Sequence, residues 1–171
     1  MDIQNSIPEN QMMVFERFYM EYKDKVYSFL LNILNYNKDD ASQILSDSFV
    51  KLREYMSQKK VDNMKNMIYT IAHNSAINLI KKNKNTVYFE DDTIQYHTLL
   101  EEVNLNFEQK QIQNIIQEMD TTTREVIHLI IYEEKSYEEV WKILKIPKNT
   151  VWTILFQAKN KLKKLHLSYL S

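Results

Sequence analysis

The sequence predicts an all-α protein made of two small helical domains joined by a flexible linker. The 171 residues include no glycine, although tight β turns and phosphate-binding loops usually need its freedom to adopt positive φ. Hydrophobic residues make up 44% of the chain and charged residues 26%, a balance typical of a folded protein. Apolar residues recur at steps of three and four, which is the period of an α-helix.

The first predicted domain, residues 1–84, contains three helices. Their apolar stripes run over residues 13–34, 41–56 and 64–82. The polar stretch NYNKDD separates the first two helices, and Asp39 or Asp40 is expected to cap the second. The stretch SQKKVDN separates the second helix from the third, which ends in KKNKN.

Residues 85–106 are predicted to be the linker, because they lack sustained periodicity and are rich in acids and asparagine. The second domain, 107–171, shows four helical patterns, at residues 107–119, 122–133, 137–144 and 149–167. Ser136 and Glu139 form a capping-box pattern, and Pro147 ends that third helix. The last helix is expected to bury Val151, Leu155, Ala158 and Leu162.

Helices 137–144 and 149–167 with their short joint predict a helix-turn-helix, although the pattern alone also allows a plain helical hairpin. Basic residues support the first interpretation. Residues 57–86 carry six basic and one acidic side chain, and residues 142–171 carry seven basic and no acidic ones. Two basic zones at helix ends suggest two polyanion contacts, and solvated lysine faces are the alternative.

The composition also excludes several kinds of site. The chain has no cysteine, so disulfides and thiolate metal sites are absent, and a cytoplasmic location is expected. The four histidines are scattered without ligand spacing, and no nucleophile or paired-carboxylate motif stands out, so neither a cofactor nor an enzymatic activity is expected. The first ten residues lack a signal-peptide pattern, and no apolar run is long enough to insert into a membrane.

Four segments resemble the extracytoplasmic-function sigma factors of bacterial RNA polymerase. FERFYMEYKDKVYSFLLNIL and DDASQILSDSFVKLREY are similar to the first two helices of sigma domain two. NMKNMIYTIAHNSAINLIKK is similar to its minus-ten-reading helix, and TTREVIHLIIYEEKSYEEVWKILKIPKNTVWTILFQAKNKLKK is similar to domain four. The resemblance implies core polymerase as a partner, through its β′ clamp and β flap, and promoter DNA, both duplex and single-stranded.

The resemblance also implies three groups of site residues. The polymerase-binding face would include Ser46, Asp47, Phe49 and Leu52. The minus-ten contacts would include Asn63, Asn66, Tyr69, Asn74, Asn78, Lys81 and Lys82, although Tyr69 is equally explained as a core residue. The outer face of the last helix would present Lys148, Asn149, Trp152, Thr153, Phe156, Gln157 and Lys159 to DNA or to a partner.

The last helix departs from the family pattern in ways that bear on its function. Trp152, Ile154 and Gln157 stand where the family tends to place lysine or arginine, the commonest readers of guanine. Trp152 and Phe156 would form an exposed apolar patch, which is typical of a protein contact. The patch suggests recruitment by another DNA-bound protein, including a guide-directed one, and the family suggests an anti-sigma factor. A dimeric helix-turn-helix regulator that does not join polymerase is the alternative function.

Overall fold

The computed structural model describes residues 9–84 and 107–169, with the side chains of residues 9, 84, 108 and 166–169 left out. All regular structure within these two ranges is helical, so the predicted all-α fold class is confirmed. The predicted linker, residues 85–106, lies outside the described residues.

The first unit consists of α1 (Glu9–Ile33), α2 (Lys38–Gln58) and α3 (Met64–Lys84). The predicted cap of α2 is wrong, because Asn37 and not an aspartate occupies the cap, its Oδ1 accepting from the Asp40 backbone N–H at 3.0 Å. Asp39 and Asp40 lie instead in the first turn, where a negative charge suits the helix dipole. Asn35 and Tyr36 form the preceding turn with positive φ.

The second unit consists of α4 (Phe107–Gln117), α5 (Thr121–Ile127), α6 (Tyr137–Leu144) and α7 (Lys148–Tyr169). The helix predicted at 122–133 changes character halfway, because α5 continues into a wider π-helical turn, His128–Tyr132. There the Glu133 backbone N–H donates to the His128 carbonyl five residues back, at 3.1 Å. Such wide turns are frequent at functional sites.

The larger of two apolar clusters among the described residues extends from the first unit into the second. Val26, Phe29 and Leu30 of α1 and Ile68 of α3 are fully buried in the same cluster as Leu129, which follows α5. Helix α1 packs against α5, and α3 contacts both α2 and α6. The predicted domains therefore meet face to face along α3. Helix α7 packs on α5 and α6, and its other face remains exposed.

Candidate nucleic-acid interface

The α6–α7 pair has the local geometry of a helix-turn-helix. Ser136 caps α6 in a complete capping box: its Oγ accepts from the Glu139 N–H at 3.2 Å, and Glu139 Oε2 accepts from the Ser136 N–H at 2.9 Å. This backbone hydrogen bond, chiefly, lowers the pKa of Glu139. At the other end Lys145 adopts the left-handed conformation, with φ 56°, so the predicted cap and turn are both confirmed.

Helix α7 separates an apolar inner face from an exposed outer face. Val151, Leu155 and Ala158 are buried as predicted, and Leu162 is half-buried. All of the outer residues predicted for DNA or partner contact are exposed: Lys148, Asn149, Trp152, Thr153, Phe156, Gln157 and Lys159. Their common face is therefore free for a ligand in this arrangement.

Two aromatic rings dominate the outer face of α7. Trp152 is 54% exposed and Phe156 is 51% exposed. Their rings stack nearly parallel, with centroids 5.2 Å apart and planes 9° apart. Lys148 lies next to them on the α6 side, with its Nζ 5.7 Å from the Trp141 ring centroid and 3.3 Å from Glu138 Oε2. A pre-stacked, half-exposed aromatic pair is a suitable anchor for a protein partner.

The predicted polymerase-binding residues of α2 divide between the surface and the core. Ser46 and Asp47 are exposed, and the Gln43 amide donates to Asp47 Oδ2 at 3.3 Å. Phe49 and Leu52 are buried, the former against aromatic rings of α1. The prediction that Phe49 and Leu52 lie on the surface beside Ser46 and Asp47 is therefore corrected. Both side chains lie beneath that surface, because they fill the apolar contact between α1 and α2.

The predicted minus-ten residues follow α3 from its N-terminus to its basic end. Asn63 caps the helix, with its Oδ1 accepting from the Asn66 N–H at 2.9 Å. Asn74 is half-buried, and Asn78, Lys81 and Lys82 are exposed. Asn66 and Tyr69 differ: Asn66 is half-buried and accepts from Lys135 of the second unit, and the Tyr69 ring packs edge-on against Phe29 of α1, with centroids 5.3 Å apart. Tyr69 is fully buried, so its ring is a core residue here, and burial raises the pKa of its hydroxyl.

Polar side chains that the sequence did not single out join the two units around α3 and α1. Lys135 donates to Asn66 Oδ1 at 2.9 Å, and the Glu125 carboxylate lies 2.5 Å from His73 Nδ1. Arg124 donates from Nη2 to Asn35 Oδ1 at 2.7 Å. These partners lie 52 to 89 residues apart in sequence, so no local pattern could have paired them.

Within residues 9–84 and 107–169, no group of three or more histidine, aspartate or glutamate side chains is arranged to hold a metal ion. No helix in these ranges combines the length and apolar character needed to cross a membrane.

Comparison with known proteins identifies the class of the chain. Residues 109–162, which include the helix-turn-helix, match the family described as Sigma-70, region 4. The chain is 25% identical over 157 residues to the ECF RNA polymerase sigma factor SigM of Bacillus subtilis (strain 168), covering 90% of this chain and 96% of SigM. It is 26% identical over 123 residues to the RNA polymerase sigma factor SigV of the same organism, covering 71% and 73%.

Solved structures share the fold. The sigma factor RpoE, from its co-crystal structure with the anti-sigma factor NepR from Bartonella quintana, matches with a TM-score of 0.68 at 18% identity, covering 88% of this chain and 95% of that one. CnrH in complex with the cytosolic domain of CnrY matches with a TM-score of 0.66 at 16% identity, covering 92% and 90%. Residues 109–162 therefore belong to the region 4 family of sigma-70 factors. Along most of its length the chain is similar to an extracytoplasmic-function sigma factor of RNA polymerase, and the dimeric regulator is not favoured.

Proposed function

We propose that this sigma factor joins core RNA polymerase in the cytoplasm and directs it to a set of promoters, without catalytic activity or a cofactor of its own. The observation that carries the proposal is the match to a polymerase sigma factor along 90% of the chain. The two basic zones, on α3 and on α6–α7, support it because promoter DNA is a polyanion on both the opened and the duplex side.

In this proposal, different helices contact polymerase and promoter DNA. Ser46 and Asp47 on α2 contact the polymerase β′ clamp, and the second unit contacts the β flap. Asn63 and Asn66 bind bases of the melted minus-ten strand through amide hydrogen bonds, whereas Tyr69 lies buried in the core beneath them. Farther along α3, Asn74 and Asn78 contact base edges and Lys81 and Lys82 contact phosphates.

The outer face of α7 supports a second, narrower proposal. Its lysines attract duplex DNA, but in place of guanine-reading arginines it presents the stacked Trp152–Phe156 pair. Asn149 and Gln157 suit adenine, and Thr153 suits a thymine methyl group. We propose that this face combines weak duplex binding with an apolar contact to another DNA-bound protein, which supplies most of the promoter specificity.

An anti-sigma protein is the proposed regulator. The solved structures of RpoE and CnrH hold these proteins in complex with NepR and with the cytosolic domain of CnrY. This chain has the same fold, and a protein that wraps it would control its access to polymerase.

The test of the proposed function is transcript-start mapping with purified core RNA polymerase, with and without the protein, on genomic template. The expected result is a set of new start sites that appear only with the protein, together with co-elution of the protein and core polymerase. Co-elution failure and an unchanged set of starts would refute the sigma-factor role for this chain.

A further inference from the structure

A small polar cavity lies where α1 and the turn after it meet α4, α5 and the π-helical turn. Its volume is about 100 Å³, comparable to that of three water molecules at roughly 30 Å³ each. Ser28, Asn32 and Tyr36 line it from the first unit, and Arg124 and His128 line it from the second. No aspartate or glutamate is among the described residues that line it. The cavity therefore has polar walls and a guanidinium charge, without a lining carboxylate to balance that charge.

Arg124 is buried with an unused hydrogen-bond donor. Only 6% of the residue is exposed. Its Nη2 donates to Asn35 Oδ1 at 2.7 Å and its Nη1 donates to the Gln117 carbonyl at 3.2 Å, and both of these oxygens are neutral. Its Nε is buried and has no hydrogen-bond partner among the described residues. Burial lowers the pKa of Arg124, but a guanidinium remains charged in proteins. A buried charge and a buried N–H of this kind favour a site for an acceptor.

The acidic neighbours of Arg124 are engaged elsewhere. Asp120 caps α5, with its Oδ1 accepting from the Thr123 backbone N–H at 3.0 Å. The Glu125 carboxylate lies 2.5 Å from His73 Nδ1 on α3. Both acids attract Arg124 at longer range, but neither lines the cavity. An anion that enters the cavity would therefore meet the guanidinium directly.

A hydrogen-bond network fixes the orientation of the cavity wall. Asn32 Oδ1 accepts from Tyr36 Oη and from Gln117 Nε2, each at 3.3 Å. Asn32 Nδ2 therefore faces His128 Nδ1, 3.0 Å away, and donates to it. With Nδ1 as the acceptor, the neutral imidazole carries its proton on Nε2. Side chains that are already held in this way lose little further freedom when a ligand binds, which favours affinity for a small ion.

The π-helical turn forms one wall of the cavity. His128 begins the turn and Tyr132 ends it, and both residues line the cavity. Tyr132 Oη accepts from Gln113 of α4 at 3.4 Å, which links the turn to the helix beside it. Such wide turns are rare and are found frequently at functional sites. The turn is therefore a second feature, independent of Arg124, that marks this cavity as a binding site.

We propose that the cavity binds a small oxyanion, either a carboxylate or an inorganic phosphate ion, with the Arg124 Nε–H as its principal donor. A hydrogen bond from a guanidinium to an anionic oxygen is charge-assisted, and it is stronger in a buried site than in water. The volume of the cavity admits acetate or phosphate and excludes a nucleotide. Because the ion binds the folded protein, it stabilises the fold. The site is separate from the polymerase and DNA contacts of the proposed function.

The arginines of the chain provide an internal control for this proposal. The chain has three, Arg17, Arg53 and Arg124, and the first two are exposed. The Nε–H signals of all three are followed by proton–nitrogen correlation NMR on the full-length protein, and Arg17→Lys and Arg53→Lys variants assign the two exposed signals. Sodium phosphate and sodium acetate are titrated separately, with sodium chloride at matched ionic strength as the control.

Phosphate or acetate should shift the Arg124 signal in a saturable manner and leave the Arg17 and Arg53 signals in place. The apparent Kd is expected in the millimolar range or tighter. The ion with the lower Kd identifies whether the site prefers a phosphate or a carboxylate. At saturation that ion should also raise the Tm by at least about 2 °C relative to chloride.

A substitution at the mouth of the cavity tests the location of the ion without altering the buried network. Ser28 is exposed and lines the cavity, so Ser28→Met narrows the entrance with an unbranched side chain. Ser42→Met is the matched control, because Ser42 is an exposed serine of α2 that does not line the cavity. Ser28→Met should weaken binding of the ion at least about tenfold, and Ser42→Met should bind it as the wild type does.

Three results would overturn the oxyanion site. Equal shifts of all three arginine signals, or an equal response to chloride, would show an unspecific effect of salt. The absence of a saturable shift of the Arg124 signal with both ions would show that water alone fills the cavity. Unchanged binding by Ser28→Met would place the ion elsewhere on the protein. None of these results bears on the proposed function, which is read from transcription by core polymerase.

Discussion

Single residues at helix ends fix the geometry of the helix-turn-helix. Lys145 occupies the position after α6 where glycine is usual, and it takes a left-handed conformation with φ 56°. A side chain with a Cβ atom is strained there by roughly 1 kcal/mol. The chain tolerates this strain because the Lys145 N–H still reaches the Trp141 carbonyl at 2.8 Å, which closes the last turn.

Replacing Lys145 with glycine should therefore stabilise the protein. We expect Lys145→Gly to raise the free energy of unfolding by about 0.5–1 kcal/mol, because relief of strain exceeds the extra entropy of the unfolded chain. Lys142→Gly, inside the last turn of α6, is the control and should lower it by about 1 kcal/mol. Urea unfolding curves measure both. Equal destabilisation by the two glycines would show that Lys145 is unstrained.

At the scale of a helix, α7 illustrates how one element serves packing and contact at once. Its inner residues join the core beneath α5 and α6, and its outer residues carry lysines and the stacked aromatic pair. Because Trp152 contributes little to the core, its exposed area is available to a partner. An anchor of this type can contribute about 2 kcal/mol or more at an interface.

Substitutions on α7 should therefore separate the partner contact from DNA attraction. Trp152→Ala is expected to lower transcription at the protein's own start sites in cells at least about tenfold. It should leave affinity for random duplex DNA, roughly 10⁻⁴ to 10⁻⁶ M, nearly unchanged. Lys159→Ala is the matched variant and should weaken duplex binding and reduce its salt slope by about one. If Trp152→Ala weakened duplex binding as much as Lys159→Ala, the aromatic pair would be a DNA contact instead.

At the scale of the whole molecule, the described residues place the exposed part of α2 and the outer face of α7 on either side of the contact between the two units. The exposed part of α2 and the outer face of α7 belong to different units, and the seam along α3 joins them through a shared core. Because the exposed part of α2 lies away from this seam, the proposed docking on α2 is expected to occur without separation of the two units. The docking can therefore be tested independently of DNA.

Charge reversal on α2 provides that test. Asp47→Arg should weaken assembly with core polymerase at least about tenfold, because a like-charge contact at an interface costs several kcal/mol. Asp24→Arg reverses an equally exposed acid on α1 and should leave assembly unchanged. Co-elution with core polymerase over a concentration series measures both variants. Wild-type assembly by Asp47→Arg would remove α2 from the docking surface.

The sequence by itself determined the helices, the helix-turn-helix and the exposed aromatic pair, because helix period, capping boxes and proline breaks act over a few residues. Even there, the cap of α2 at Asn37 was missed, since several neighbouring Asn and Asp residues can serve as caps. Phe49 and Leu52 were assigned to a contact face, and only the packing of α1 on α2 shows that they are buried. For Tyr69 the sequence left a base contact and a core position equally open, and the structure places it in the core against Phe29. The pairs Lys135–Asn66 and Glu125–His73 were decided by tertiary structure alone. Their pairing depends on how two helical units meet, and no local period encodes a contact between residues more than 50 positions apart.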